Sequence, residues 1–161
     1  MKQQVKLIDI CVQRQVLEQK LQNNWLNNIY DGNDENSRTL ILKFNTVPEK
    51  TFLLVESGKR IHSIATGFTS IRNSPTWFVG KLRKHLKNQR LLCINQIAGD
   101  RVLDIHFAND YHLILELYDR GNFLLTLSDY TIVCSARTKP YEIKNKLVQV
   151  SYKYPMESTG T

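Results

Sequence analysis

The sequence has few cysteines and no long apolar run. Its three cysteines, Cys11, Cys93 and Cys134, are scattered, and they form no Cys-x-x-Cys pair that could hold zinc or act as a redox dithiol. No apolar stretch approaches the roughly 20 residues of a transmembrane helix, and the first residues lead into no signal-peptide core. We therefore expect a soluble intracellular protein in a reducing compartment, with its thiols packed in the core and no membrane partner.

The motifs of common catalytic and metal sites are also missing. The seven glycines never cluster into a phosphate-cradling loop, which excludes nucleotide hydrolysis. Ser57 lacks the flanking glycine of a nucleophile elbow, and the four histidines show neither His-x-x-x-His spacing nor cysteine neighbours. We predict a protein that is not an enzyme and that has no catalytic residue, cofactor or metal site.

Length and charge favour one basic domain. The chain has 161 residues, of which 42% are hydrophobic, and this is enough for a single domain with a sizeable core. Its 22 lysines and arginines against 15 acidic residues give a formal charge of +7. Such a charge would draw the domain toward a polyanion such as RNA, although many basic domains bind nothing in particular.

A first helix is predicted to begin at Asp9, which stands where an N-cap belongs. The apolar residues Ile10, Leu17 and Leu21 follow at helical offsets. The pattern ends near Asn23, because asparagine can adopt the left-handed conformation of a helix C-cap.

A second helix is predicted from its cap, Ser74, and from Pro75 at the first helical position. A spacing of four places Phe78, Leu82 and Leu86 toward the core. Basic residues crowd the last turns, at Lys81, Arg83, Lys84, His85, Lys87 and Arg90. Some of this charge complements the helix dipole, and a solvated face is the alternative, but the number favours contact with the phosphates of an RNA backbone.

The remaining segments read as short strands separated by turn formers. The candidates are residues 26–30, 39–44, 51–55, 91–97, 101–107, 111–118, 122–127 and 130–135. Alternation in residues 101–107 predicts a half-buried edge or face, and short links near residues 109, 120 and 128 predict consecutive hairpins. We predict an α+β domain built on an antiparallel β sandwich or barrel-like sheet with two helices.

Four sequence motifs in a fixed order indicate a family resemblance. Residues 116–122 read ELYDRGN, and upstream lie ESGKRIH at 56–62, PTWFVGKLRKHL at 75–86 and GDRV at 99–102. These motifs resemble those of the amino-terminal NFACT domain of the NEMF family of ribosome-associated quality-control factors, in its eukaryotic or archaeal form. The resemblance covers residues 1–155 and leaves 156–161 as a tail or the start of a linker. Trp25 departs from the family, which usually has a basic residue there.

The resemblance implies a fold similar to the N-terminal domain of formamidopyrimidine-type DNA glycosylases. Those enzymes attack with an amino-terminal proline followed by glutamate, whereas Lys2 and Gln3 follow Met1 here. Similarity of fold does not carry the chemistry across that difference, so we expect neither glycosylase activity nor a DNA partner.

The resemblance also implies a tRNA-binding set that falls on Asp9, Asp100 and Arg101. An arginine can fork onto a phosphate or stack on a base, and a carboxylate can accept from a base edge or a ribose hydroxyl. The alternatives are that Asp9 only caps its helix and that Asp100 only bonds its own backbone in a tight turn.

Other charged residues in these motifs are interpreted as structural. Glu56, Arg60 and His62 would form a buried hydrogen-bonded cluster that fixes the loop at Gly58. Glu116, with the neighbouring Asp119 and Arg120, would shape a hairpin or pair internally.

The function implied is that of a component of the ribosome-associated quality control complex. Such factors recognise large ribosomal subunits with stalled peptidyl-tRNA and direct template-free tailing with alanine and threonine, while the ribosome performs the chemistry. Expected partners are tRNA, the large ribosomal subunit and, through modules absent here, a Listerin-type ubiquitin ligase. The expected location is the cytoplasm, with a nuclear pool as an alternative. The alternative function is a stand-alone ribosome- or protein-interaction domain without tailing, and the chain would be either a fragment or a reduced single-module form.

Overall fold

The computed structural model describes residues 7–32, 38–64, 75–97 and 100–156. Its helices are α1 (Leu7–Leu21) and α2 (Trp77–Leu86). Its strands are β1 (Leu26–Asp31), β2 (Thr39–Phe44), β3 (Thr51–Glu56), β4 (Arg60–Ile64), β5 (Leu91–Gln96), β6 (Val102–Phe107), β7 (His112–Glu116), β8 (Asn122–Thr126), β9 (Ile132–Ser135), β10 (Tyr141–Ile143) and β11 (Lys146–Val148). This arrangement confirms an α+β domain with two helices and mostly antiparallel sheets.

The strands form two antiparallel meanders and one small hairpin. Strands β1 to β4 make a four-stranded sheet in sequence order, β5 to β9 make a five-stranded sheet in sequence order, and β10 pairs with β11. Backbone bonds join the meanders where the chain passes from α2 into β5, with Leu26 N–H donating to Gln89 O at 2.8 Å and Leu91 N–H to Asn24 O at 2.9 Å. The predicted hairpins between β6 and β9 are confirmed.

One large apolar core is shared by the two meanders and both helices. It includes the three residues that α2 was predicted to bury, Phe78, Leu82 and Leu86. It also includes the apolar residues predicted for α1, Ile10, Leu17 and Leu21. The helical periodicity therefore identified the buried face of each helix correctly, and burial of these side chains is the main stabilising contribution of both.

Helix α1 covers the exposed edge of β5. Arg14 donates to Ile94 O at 2.7 Å, Ile94 N–H donates to Oε2 of Glu18 at 2.9 Å, and Gln22 donates to Leu92 O at 3.0 Å. Polar groups of an edge strand that would invite pairing with another chain are thereby satisfied. Because the contacts run in opposite directions along the two elements, α1 begins beside the β5–β6 turn.

The predicted helix starts are wrong in detail. Helix α1 begins at Leu7, so Asp9 lies exposed inside its first turn, where its charge still suits the helix dipole. Helix α2 is capped by Thr76, which accepts from Val79 N–H at 3.3 Å, and Pro75 precedes the cap; Ser74 lies outside the described residues. Asp31 at the end of β1 fixes this cap, because Thr76 donates to it through both N–H and hydroxyl at 2.8 Å.

Strand β6 is central and buried on both faces, so the prediction of a half-buried edge or face is wrong. It lies between β5 and β7, and Asp104 on it is almost wholly buried. The Asp104 carboxylate is 2.7 Å from Nδ1 of His112 and accepts from the Tyr130 hydroxyl at 2.6 Å. These partners explain why a carboxylate can occupy an interior position.

Strand β4 and the β10–β11 hairpin were not predicted, and the cluster predicted near Gly58 is wrong in its burial. Strand β4 pairs with β3, and the cluster predicted as buried near Gly58 instead places Arg60 at the surface, 3.0 Å from Glu56. The β10–β11 hairpin and residues 149–156 cover the outer face of the five-stranded sheet, where Val148 and Tyr154 pack with Ile114. This cover explains why β7 and β8 are buried on both faces. Neither described helix has the length and apolar character needed to cross a bilayer.

Candidate nucleic-acid interface

The β5–β6 turn holds Asp100 and Arg101 in a fixed conformation. Asp100 N–H donates to Ile97 O at 2.9 Å, and Asp100 Oδ1 accepts from Arg101 N–H at 2.7 Å. Gln96 donates its side-chain amide to Asp100 O at 2.7 Å. Asp100 therefore does bond its own backbone, as the turn alternative predicted, and this bond uses one carboxylate oxygen. The other oxygen, Oδ2, lies 4.0 Å from Nζ of Lys144.

The Arg101 guanidinium lies over an aromatic ring. Its Cζ is 5.7 Å from the centroid of Tyr118, and both side chains are half-buried. Burial, and then the nearby Glu116 carboxylate, raise the pKa of Tyr118 to about 12, so the phenol stays neutral at physiological pH. A planar cation held against an aromatic face is oriented before a ligand arrives, which lowers the entropy that binding must offset.

The structure brings Asp9 to the same end of the molecule as this turn. Cys11, two residues after Asp9, donates through its thiol to Oε1 of Gln96 at 3.2 Å. Gln96 in turn bonds Asp100, as described above, so the first turn of α1 is tied to the β5–β6 turn. The first turn of α1, which carries the exposed Asp9, therefore lies near the β5–β6 connection, although the two come from separate parts of the sequence.

A pocket of about 330 Å³ opens beside the turn, and we call it the tyrosine pocket. Its lining includes Asp100, Tyr118, Tyr141 and Lys144. Two phenol rings beside an acid and a lysine offer stacking faces together with groups that bond polar edges. Tyr141 was not singled out from the sequence, because it comes from the β10 segment and no local pattern connects it with Asp100.

Glu116 forms part of the wall of the tyrosine pocket and is buried. It accepts hydrogen bonds from the hydroxyl of Tyr141 at 2.9 Å and from that of Tyr154 at 2.6 Å. Burial raises the pKa of Glu116, and the two tyrosine hydroxyls together with the Arg137 charge oppose that shift. The predicted structural role of Glu116 is therefore confirmed: it ties the sheet to the segment that covers it.

The basic residues of α2 do not form one cluster. Arg83 donates to Ile29 O at 2.8 Å and lies over the Tyr30 ring, so it serves the packing of α2 on β1. Lys81 lies 5.8 Å from the ring centroid of Trp77. Helix periodicity separates these side chains around the axis, because each residue turns by about 100°.

The prediction that all six cations crowd the last turns of α2 is also wrong at the helix end. The helix ends at Leu86, so Lys87 is its C-cap. Arg90 lies beyond the helix and pairs with Trp25 in an isolated bridge. Lys84 and Lys87 are exposed and remain predicted contacts for RNA or ribosome, as do Lys81 and Arg90. Arg83 is the weakest member of that set, because its Nε–H is already used internally.

No further chemistry is indicated by the clusters of titratable residues. Among residues 7–32, 38–64, 75–97 and 100–156, no group of three or more His, Cys, Asp or Glu side chains is placed to hold a metal ion.

Residues 8–160 match the family described as NFACT N-terminal and middle domains. The chain belongs to this NFACT family. The domain is 37% identical to the human ribosome quality control complex subunit NEMF over 161 residues, which cover 98% of this chain and 14% of that protein. It is 36% identical to ribosome quality control complex subunit 2 of Saccharomyces cerevisiae, covering 93% of this chain and 14% of that protein. An archaeal Rqc2 homolog from Methanocaldococcus jannaschii is 32% identical, with 96% of this chain and 24% of that protein covered.

Solved structures support the fold of the NFACT domain. The N-terminal domain of the fibronectin-binding protein PavA from Streptococcus pneumoniae superposes with a TM-score of 0.80, covering 95% of this chain and 62% of that one. Sequence identity in that pair is 20%, so the likeness concerns the fold alone. The predicted similarity to the glycosylase domain stays a prediction.

Proposed function

We propose that this NFACT domain acts in ribosome-associated quality control, where it contacts tRNA through Asp100 and Arg101, with Asp9 beside them. The observation that carries the proposal is the β5–β6 turn, in which Arg101 lies 5.7 Å from the Tyr118 ring and Asp100 lines a pocket. The names of the human, yeast and archaeal relatives support the pathway. They share this domain over nearly its whole length, although it spans only a minor part of those proteins.

The division of labour among the charges follows from elementary electrostatics. A formal charge of +7 attracts any nucleic acid, and such attraction is independent of sequence. Selection needs acceptors as well as cations, and Asp9 and Asp100 supply carboxylates that a purely basic surface lacks. On this proposal, the domain holds tRNA on a large ribosomal subunit that carries stalled peptidyl-tRNA. Template-free tailing with alanine and threonine then uses the peptidyl-transferase centre of the ribosome.

The test is binding of the 161-residue chain to purified tRNA and to large ribosomal subunits carrying peptidyl-tRNA, across a salt series. Arg101→Ala should weaken tRNA binding by about 10- to 100-fold, the range for losing a hydrogen bond to a charged group. Arg101→Lys keeps the charge but not the flat guanidinium over Tyr118, so it should restore only part of the loss. Asp100→Asn keeps an acceptor for Arg101 N–H while removing the charge.

The control is Lys50→Gln, which removes one exposed charge at the β2–β3 turn. That turn is at the other end of β3 from Gly58. Equal affinities for the wild type, the Arg101 variants and this control would sink the assignment of tRNA contact to the β5–β6 turn.

The alternative is a stand-alone domain that binds a ribosomal or other protein surface without tailing. It is favoured by two exposed tryptophans, Trp25 at 50% and Trp77 at 62% exposure. Binding of this kind would lack the steep salt dependence of phosphate contacts, and it would be lost in Trp77→Ala but kept in Arg101→Ala. The quality-control proposal, applied to the whole protein, also includes a Listerin-type ligase as partner and a cytoplasmic location, with a nuclear pool as an alternative.

A further inference from the structure

Three arginines from distant parts of the chain converge on a second pocket, which we call the arginine pocket. Arg38 precedes β2, Arg120 lies in the β7–β8 turn, and Arg137 follows β9. All three line a space of about 330 Å³, together with Ser57, Gly121, Asn122 and Ala136. None of these lining residues is acidic, so the pocket is positively charged.

Gly121 forms one side of the arginine pocket, which we call its floor, and Gly121 is held against Gly58. Gly58 and Gly121 have φ values of +73° and +71°, in the left-handed region that favours glycine. A Cβ on Gly121 would lie 2.1 Å from the backbone nitrogen of Gly58, so the two turns touch through their backbones. A hydrogen bond from Gly58 N–H to Glu116 O at 2.9 Å locks this contact. The floor is therefore built before any ligand arrives.

The arginines are presented differently, and the difference suits an anion. Arg137 is held in place, because its guanidinium stacks 4.0 Å from the Tyr141 ring centroid and donates to Gly121 O at 3.2 Å. That contact uses one of the five N–H donors of the group. Arg120 is exposed and makes no hydrogen bond or ion pair with the part of the chain that the structure describes. One fixed and two exposed guanidinium groups can close on a tetrahedral oxyanion from several directions.

The arginine pocket is adjacent to the tyrosine pocket, because Gly121 and Arg137 line both. Asp100, Tyr118 and Tyr141 line one of the two neighbouring pockets, and Arg38 and Arg120 line the other. We propose that the arginine pocket binds a backbone phosphate of the same RNA strand whose neighbouring nucleotide contacts the Asp100 and Arg101 turn. This inference rests on the proposed function in its choice of RNA, whereas the phosphate chemistry rests on the pocket itself.

The first measurement uses inorganic phosphate as the probe and nuclear magnetic resonance of the 161-residue chain. Phosphate should shift the Gly121 amide and arginine Nε–H signals more than chloride does at equal ionic strength. The shifts should be lost in Arg120→Gln, while Lys50→Gln should retain them. Arg120→Gln is the preferred variant because no described contact depends on that side chain, so the fold should survive.

The second measurement is the salt dependence of tRNA affinity for the same proteins. Losing the one phosphate contact should reduce the slope of log K against log salt by roughly 0.7 to 0.9 when Arg120→Gln and Arg38→Gln are combined, and each single variant should show part of this reduction. Lys50→Gln should keep the wild-type slope.

The outcomes separate this inference from the proposed function. If wild type binds tRNA in an Arg101-dependent manner while Arg120→Gln and Arg38→Gln match Lys50→Gln, the phosphate assignment is overturned and the proposed function stands. If phosphate shifts the Gly121 signal and tRNA does not bind, the pocket is confirmed as an anion site and the proposed RNA role fails. An acidic peptide that competes with phosphate while tRNA does not would replace RNA as the ligand.

Discussion

Replacing Gly121 by alanine gives the sharpest test of how the site is built. Two penalties follow from the geometry. A residue with a Cβ at a φ of +71° loses about 1 to 2 kcal/mol relative to glycine. The new Cβ would also lie 2.1 Å from Gly58 N and 2.6 Å from Glu116 O, both backbone atoms that cannot rotate away.

Relief of that clash requires the two turns to separate. Separation breaks the hydrogen bond from Gly58 N–H to Glu116 O and leaves a poorly solvated donor, at a cost of about 1 to 3 kcal/mol. Together the two penalties predict that Gly121→Ala lowers the free energy of unfolding by about 3 kcal/mol. For a urea m-value of about 2 kcal/mol/M, the midpoint of unfolding would fall by about 1.5 M.

The matched control is the same substitution at Gly80, inside helix α2. A Cβ there meets no atom within 4 Å, and alanine is the better helix former, so Gly80→Ala should raise the free energy of unfolding by about 0.5 to 1 kcal/mol. Urea unfolding of both variants should therefore move the midpoint in opposite directions. A Gly121→Ala protein within 1 kcal/mol of wild type would refute the claim that the two turns are locked by their glycines.

Three further predictions concern polar side chains that make hydrogen bonds within the fold. Burial raises the pKa of Glu116 above its ordinary value of 4.5. Between 4.5 and the raised pKa of the folded state, unfolding releases the Glu116 proton. The free energy of unfolding therefore falls as pH rises through this range. Glu116→Gln should flatten this fall in unfolding free energies measured against pH; an unchanged slope would contradict the assignment. Thr76→Ala should destabilise by about 1 kcal/mol in urea unfolding, since it removes the cap of α2 and a donor to Asp31, whereas Thr76→Ser should stay close to wild type. Asp104→Ala should cost about 2 to 4 kcal/mol by the same assay, because it leaves the His112 ring and the Tyr130 hydroxyl without their partner; a loss below 1 kcal/mol would argue against that pairing.

The parts of the fold that the sequence predicted well are those set by local rules. The spacing of Phe78, Leu82 and Leu86 can be recognised within about two turns of one helix. The hairpin turns between β6 and β9 are likewise indicated by the residue types of the turns themselves. Asn23 was identified as the end of α1, and its φ of 68° confirms that interpretation.

The failures come from contacts between residues far apart in the chain. The cap of α2 is Thr76 because Asp31, on β1, binds it, and no pattern near residue 76 contains that information. Asp104 alternates with apolar residues as on an exposed face, yet His112 and Tyr130 satisfy it and the strand is central. The short β10 and β11 strands have three residues each, which is too few for a periodicity of two to register.

The candidate site shows the same division. Asp100 and Arg101 belong to a turn that local residue types predict, and the family motif at residues 99–102 identified them as candidates for tRNA binding. Arg137 and Tyr141 belong to no such motif, so their positions in the two pockets could be found only from the tertiary structure.

The contacts that protect the edge of β5 also set the geometry of the proposed tRNA site. Helix α1 is held along β5 by Arg14 and Glu18, which bond the backbone of Ile94 from both sides. The same docking carries the first turn of α1, with Asp9, to the β5–β6 turn, where Gln96 bonds both Cys11 and Asp100. An undocked helix would sample many positions relative to Arg101, whereas the docked helix presents its first turn at one place beside Asp100. The closure of the sheet edge and the preorganisation of the site are therefore one structural feature, because each depends on the same placement of α1.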